Sequence, residues 1–165
     1  MKQSGSLYFF CGKMGAGKTT KSKQLAIEKH AVLLSEDELL ASFYPNQIES
    51  FEDYLKYSEQ IKPFVKKHVQ NILSVGTDVV MDFPANTQKL RTWFLDMVLE
   101  VNANHQLIFL NLNNEQCLSQ IAQRRNEQPE RADFDTEAVF IHVTNFFEAP
   151  EASEGLNILE FSGKD

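Results

Sequence analysis

Cysteine is scarce in this chain. Cys11 lies in an apolar run and Cys117 in a stretch with helical periodicity. Two thiols so placed exclude a disulfide framework and a metal knuckle, and they fit a reducing compartment. No apolar run approaches the roughly 20 residues of a membrane span. Met1 to Ser6 is polar and lacks the charged-then-apolar profile of a secretion signal, so a cytoplasmic location and no membrane partner are expected. Basic charge is also short, with 16 Lys and Arg against 23 Asp and Glu and a net charge of −7, which disfavours an extended nucleic-acid backbone as partner. The four histidines, His30, His68, His105 and His142, are too widely separated to form a metal set, and His30 and His105 are expected near helix ends. Internal repeats, low-complexity segments and a guanine-reading Asn-Lys-x-Asp motif are all missing. What remains is a chain of 165 residues, 42% hydrophobic and 24% charged, sized for one buried core.

The chain is organised around Gly12-Lys13-Met14-Gly15-Ala16-Gly17-Lys18-Thr19, which satisfies GxxxxGK[ST] at every fixed position. Glycines let the backbone curl so that successive N–H groups face a phosphate, where a side chain would block the approach. Lys18 adds a point charge for the β- and γ-phosphates, Thr19 offers a hydroxyl to Mg²⁺, and the helix starting here aims its positive end at the same anion. Thr20 completes the nucleotide-binding set. The flanks agree: Leu7 to Cys11 is a short apolar run suited to a strand covered on both faces, and Lys18 to Glu28 runs without a breaker.

Two further apolar runs end on acidic residues. Ala31 to Leu34 leads into Ser35-Glu36-Asp37-Glu38, where Ser35 and Glu38 have capping-box spacing. Asp37 is the candidate base because ligands of open α/β sheets bind beyond the carboxyl ends of strands. The same three acids would also complement a helix dipole, and spacing leaves both readings open. Thr77 to Met81 is a third strand delivering Asp82, the residue a Walker-B-like site needs to hold Mg²⁺ opposite Thr19.

Between these runs, residues 43–63 carry Phe43, Tyr44, Phe51, Tyr54 and Tyr57, either an acceptor-binding segment or core packing. The spacing predicts a helix over 50–60 and a second one starting near Pro63 and running to Val75. A helix over 87–100, a strand over 106–112 and a helix capped by Asn113 or Asn114 follow. Residues 124–134 hold Arg124, Arg125 and Arg131 in a polar passage, either a mobile lid whose guanidinium groups meet phosphate oxygens or a solvated helix end. A last helix over 134–148, with Phe146 and Phe147 turned inward, and a strand over 156–161 leave 162–165 as a tail. Five strands alternating with helices predict an α/β domain spanning 1–165, a parallel sheet between two helical layers.

With Asp82-Phe83-Pro84-Ala85-Asn86-Thr87, Arg125-Asn126, Phe146-Phe147-Glu148-Ala149-Pro150 and Glu154-Gly155 in view, nearly the whole chain resembles the P-loop kinase-like proteins, an AAA-type group related to zeta toxins, polynucleotide kinases and the adenylate-kinase-like fold. The resemblance implies a three-layer P-loop NTPase fold with strand order 2-3-1-4-5, and ATP with Mg²⁺ as phosphoryl donor. It also implies Asp37 as the carboxylate that takes the acceptor hydroxyl's proton, and Arg125 and Arg131 as lid arginines beside Lys18. Polynucleotide-kinase-like relatives carry an arginine three residues after that carboxylate. This chain has Leu40 there, which counts against a phosphorylated or nucleic-acid acceptor. The function expected is a small phosphotransferase acting on a small hydroxylated acceptor. The alternatives are a nucleotide-dependent switch without an acceptor, whose protein partner the residues do not identify, and a zeta-toxin-like or polynucleotide-type kinase.

Overall fold

Alternation along the central strands builds the core. In β1 (Ser6–Gly12), Leu7, Phe9 and Cys11 enter one apolar cluster, while Tyr8 and Phe10 enter the other. β3 (Val79–Asp82) divides Val79 and Met81 from Val80, and β4 (Asn104–Asn111) divides Leu107 and Phe109 from Ile108 and Leu110 in the same way. Strands buried on both faces need helices on both faces, which parallel crossovers supply. The computed structural model describes residues 3–162. Of the expected tail, Ser162 lies in the last strand and residues 163–165 fall outside the described residues.

The five strands form one parallel sheet in the order β2-β3-β1-β4-β5, with β2 at Val32–Ser35 and β5 at Ile158–Ser162. The order is the expected one. Helices α1 (Lys18–Lys29) and α5 (Asn114–Glu127) cover one face through Ala26, Cys117 and Ile121, joined by Phe140 of α6 (Glu137–Thr144). The other face receives α2 (Glu36–Phe43) through Leu40, α3 (Phe51–Ser74) through Ile61, Val65, Val69 and Leu73, and α4 (Gln88–Leu99) through Phe94, Met97 and Val98. The rings of Phe9 and Phe94 stack at 4.5 Å, fixing α4 against the middle of the sheet. No described helix is long and apolar enough to cross a membrane.

Three local expectations are corrected. Pro63 does not begin a helix but lies inside the single 24-residue α3. Its ring sits on the exposed side, and the buried stripe from Ser58 to Leu73 carries the helix through a site where proline typically costs about 3 kcal/mol. The last helix is eight residues rather than fifteen, because Thr136 caps it by accepting from Val139 N; of the two phenylalanines after it expected inward, Phe147 packs against the core but Phe146 is exposed. His105 is in β4, not at a helix end. Its Nε2 accepts from the backbone N of Asn157 at 3.0 Å, and burial lowers its pKa. His30 does close α1, in the left-handed conformation.

A charged residue stands on the buried stripe of α4. Arg91, Phe94 and Val98 follow i, i+3, i+7 spacing, and the Arg91 side chain is 1% exposed. Its Nε and Nη2 donate to Glu154 at 2.7 and 3.1 Å, and its Nη1 donates to the carbonyls of Ala85 at 3.0 Å and Glu148 at 2.8 Å. Replacing it strands a buried carboxylate and two carbonyls. Arg91→Met is expected to lower unfolding free energy by about 3–5 kcal/mol. Urea denaturation should show this as a fall in midpoint with an unchanged m value.

Candidate active site

The carboxyl ends of β1, β2 and β3 converge on one cavity of about 800 Å³. Its floor is the loop between β1 and α1. Gly15 and Gly17 adopt φ of 81° and 95°, a region L side chains rarely enter, and a Cβ on Gly15 would meet Cγ1 of Ile121 at 2.6 Å and the carbonyl of Cys117 at 2.8 Å. The first residue of the loop is anchored from across the sheet: Gly12 N donates to Asn86 Oδ1 at 3.0 Å. Asn86 is itself held, because its carbonyl accepts from Glu148 N at 2.8 Å and its neighbour Ala85 is bound by Arg91. The Asp-Phe-Pro-Ala-Asn turn and the Phe-Phe-Glu-Ala-Pro segment therefore meet beneath the loop.

Within the cavity lie Lys13, Met14, Gly15, Ala16, Gly17, Lys18, Thr19 and Thr20 of the loop, with Asp37, Asn86, Arg124 and Arg131 around them. Lys18 Nζ donates to the carbonyl of Gly12 at 2.6 Å, and burial pulls its pKa down. Lys13 Nζ is drawn aside to Asn114 Oδ1 at 2.8 Å. Asp82 stands at the end of β3, opposite Ser35 in register, and is hydrogen-bonded to Thr19. Burial raises its pKa, the Thr19 hydrogen bond acts against that, and the charge of Asp37 raises it further. A hydroxyl paired with a carboxylate is a hard-oxygen donor set of the kind Mg²⁺ takes. Among the described residues no group of three or more His, Cys, Asp or Glu side chains could hold a metal alone, so a cation here would complete its shell with phosphate and water oxygens.

Asp37 and its neighbour face opposite ways. Asp37 is exposed on the cavity, whereas Glu36 is buried and accepts from Tyr54 Oη and from Ser58 Oγ at 2.8 Å. The first turn of α2 is thereby bolted to α3. Of the aromatic segment, Tyr54 serves this contact, Tyr44 and Tyr57 stack at 4.2 Å against the core, and Phe43 and Phe51 are exposed; none of the five lines the cavity.

Residues 124–134 comprise the end of α5, a 3₁₀ turn at Pro129–Arg131 and the approach to α6. Arg131 lines the cavity and donates Nε to Asp135 at 2.9 Å. Arg125 is not part of the cavity wall; it is exposed and donates Nη1 to the carbonyl of Asp135 at 3.3 Å. Arg124, its neighbour in the same dipeptide, does line the cavity. Thr144, the last residue of α6, and Phe147, just beyond it, complete a wall that motif spacing alone does not reveal.

Strand order, loop and flanking helices together define a P-loop kinase-like α/β protein. The AAA domain family (AAA_33) matches residues 7–150, and the chain belongs to that family. Its fold is shared with a candidate kinase of Chloroflexus aurantiacus, at 20% identity and a TM-score of 0.72 over 97% of this chain and 89% of the other. Kti12 of Chaetomium thermophilum, solved with ADP-AlF3, is similar at 17% identity and a TM-score of 0.67 over 96% and 90%. The APS kinase CysC of Mycobacterium tuberculosis, solved with AMPPNP and APS, is similar at 16% identity and 0.65 over 99% and 91%. No curated protein matches the sequence.

The buried acid beside Asp37 makes stability depend on pH in a definite sense. Burial pushes the Glu36 pKa up and the Asp37 charge adds to this, against hydrogen bonds from Tyr54 and Ser58 and the charge of Lys62. With the folded value raised, Glu36 contributes stability that is complete below the unfolded value of about 4.3 and is lost as pH rises through the folded value. Glu36→Gln should abolish that contribution. Urea midpoints from about pH 4 to pH 7 should show the variant gaining on the parent as pH rises through this window.

Proposed function

We propose that the protein is an ATP-dependent phosphotransferase that moves the γ-phosphoryl group to a hydroxyl of a small acceptor. The observation that carries this reading is that Asp37 faces the same cavity as the phosphate-binding loop. A switch has no need of a carboxylate there.

In this reading the backbone from Gly12 to Thr20 and the ammonium of Lys18 hold the triphosphate, and the dipole of α1 adds to their field. Mg²⁺, held through Thr19 and Asp82 together with phosphate oxygens, would neutralise charge on the β- and γ-phosphates when bound. Asp37 orients the acceptor hydroxyl and receives its proton as the acceptor oxygen bonds to the γ-phosphorus. The bond from that phosphorus to the β–γ bridging oxygen breaks, and ADP leaves with the electron pair. Arginines of the 124–131 passage offset the charge that spreads over the transferring group. Residue 40 is leucine where polynucleotide-kinase-like relatives carry arginine, which favours an acceptor without a phosphate of its own.

The test separates the two halves of the site. Lys18→Ala is expected to abolish ATP binding in a calorimetric titration with Mg²⁺, and unaltered binding would refute the loop's role. Asp37→Asn should leave ATP affinity near that of the parent while lowering acceptor-stimulated ADP release by about 10²–10⁴-fold, the usual contribution of a positioned base. ATP binding by the parent that no hydroxylated metabolite converts into ADP release would instead favour the nucleotide switch.

A further inference from the structure

We infer that Asp135 is the positioning residue for two phosphate-facing arginines, Arg124 and Arg131. The inference rests on the triphosphate reading of the cavity and names the residues that complete it.

The Asp135 side chain is fully buried, yet it carries the charge on which both arginines converge. Arg124 donates Nε to Oδ2 at 2.9 Å and Nη2 to Oδ1 at 2.6 Å, and Arg131 donates Nε to Oδ2 at 2.9 Å. The carboxylate therefore grips each guanidinium mainly by its stem-side edge. Nη1 of Arg124 and both Nη atoms of Arg131 make no hydrogen bond among the described residues, and both side chains line the cavity. Exposure divides the same way: the Arg124 and Arg131 side chains are 33% and 39% exposed, against 0% for Asp135. The carboxylate that anchors them is closed to solvent, while both arginines remain partly exposed along the cavity.

Charge counting points in the same direction. Two guanidinium groups share one carboxylate, so the cluster retains a surplus of one positive charge. Without Asp135 the two cations would repel each other at close range, and their rotamer freedom would have to be frozen again each time a phosphate arrived. With it, distal N–H donors are held ready where charge develops. Arg125 reinforces the arrangement from the backbone side, since its Nη1 donates to the carbonyl of the same Asp135. Burial alone would raise the Asp135 pKa, but hydrogen bonds from Arg124 and Arg131 hold it below the usual carboxylate range, so the anchor is ionised at neutral pH.

The experiment measures kcat and KM for ATP turnover, and calorimetric affinities for ATP and AMP with Mg²⁺, in the parent, Asp135→Asn, Asp135→Glu, Arg124→Ala and the double variant Asp135→Asn/Arg124→Ala. Asp135→Asn should lower kcat by about 100-fold, the cost of displacing a catalytic donor by roughly 1 Å. AMP affinity should not change, and Asp135→Glu should restore part of the rate. Because the residues act as one unit, the double variant should fall no further than the worse single variant. A parent-like kcat in Asp135→Asn, or losses that multiply in the double variant, overturns the inference. If Asp135→Asn gives no cooperative urea transition, Arg124→Lys and Arg131→Lys take its place. They keep the charge and lose the fork, so the same fall in kcat is expected and parent-like rates overturn the assignment. A parent that binds ATP without turnover refutes phosphotransfer alone. Asp135 is then judged on affinity: at least about tenfold weaker ATP binding with unchanged AMP binding supports it, and equal ATP affinity overturns it. A parent that binds no nucleotide overturns both readings.

Discussion

The guanidinium of Arg91 is the contact on which the arrangement of this molecule depends. Taking a cation out of water is costly unless its donors are met, and here Nε, Nη1 and Nη2 all find oxygen acceptors, with Cys11 Sγ 3.8 Å from Nη1. Those acceptors come from separate parts of the chain: Ala85 after β3, and Glu148 and Glu154 on the long return to β5. One buried side chain thus decides where two loops stop. Because Asn86 follows Ala85 and also receives the Glu148 N–H, the same decision fixes the group that holds Gly12. The phosphate-binding loop inherits its position from a residue that touches none of it.

Around this hub the sheet divides its labour by parity. Odd positions of the central strands feed the cluster beneath α3 and α4, and even positions feed the cluster beneath α1 and α5. The strand ends then open on one side. Since β1, β2 and β3 are parallel neighbours, whatever follows them is brought to the same rim, and this is how Thr19, Asp37 and Asp82 come near each other from positions far apart in sequence.

Much of this was legible in the chain because the constraints are local. A continuous apolar run reads as a doubly covered strand, and glycines at fixed offsets before Lys-Thr leave few interpretations, so the parallel sheet and the loop followed, whereas the strand order came from the resemblance to P-loop kinase-like proteins. Where tertiary packing overrides a local rule, reading failed. Pro63 signals a break, but the stripe from Ile61 to Leu73 keeps α3 whole. Phe134 and Phe146 carry helical spacing but not helix, since spacing does not say that a face is covered. Arg91 was visible only as a charge out of place on an apolar stripe, its partner 63 residues away. Asp135 was harder still. Its partners lie 11 and 4 residues before it, and nothing in a lone aspartate in a polar passage announces that arginines will converge on it. The choice between Arg124 and Arg125 likewise depends on which side of α5 faces the loop.

Lys18 already has a partner in its own loop, the carbonyl of Gly12. That contact occupies one of the three N–H donors of the ammonium, so two remain to be given elsewhere. The carbonyl thus acts as a tether: it fixes the end of a long, rotamer-rich side chain over its own loop, and the entropy of ordering that chain is met in folding rather than on the arrival of a ligand.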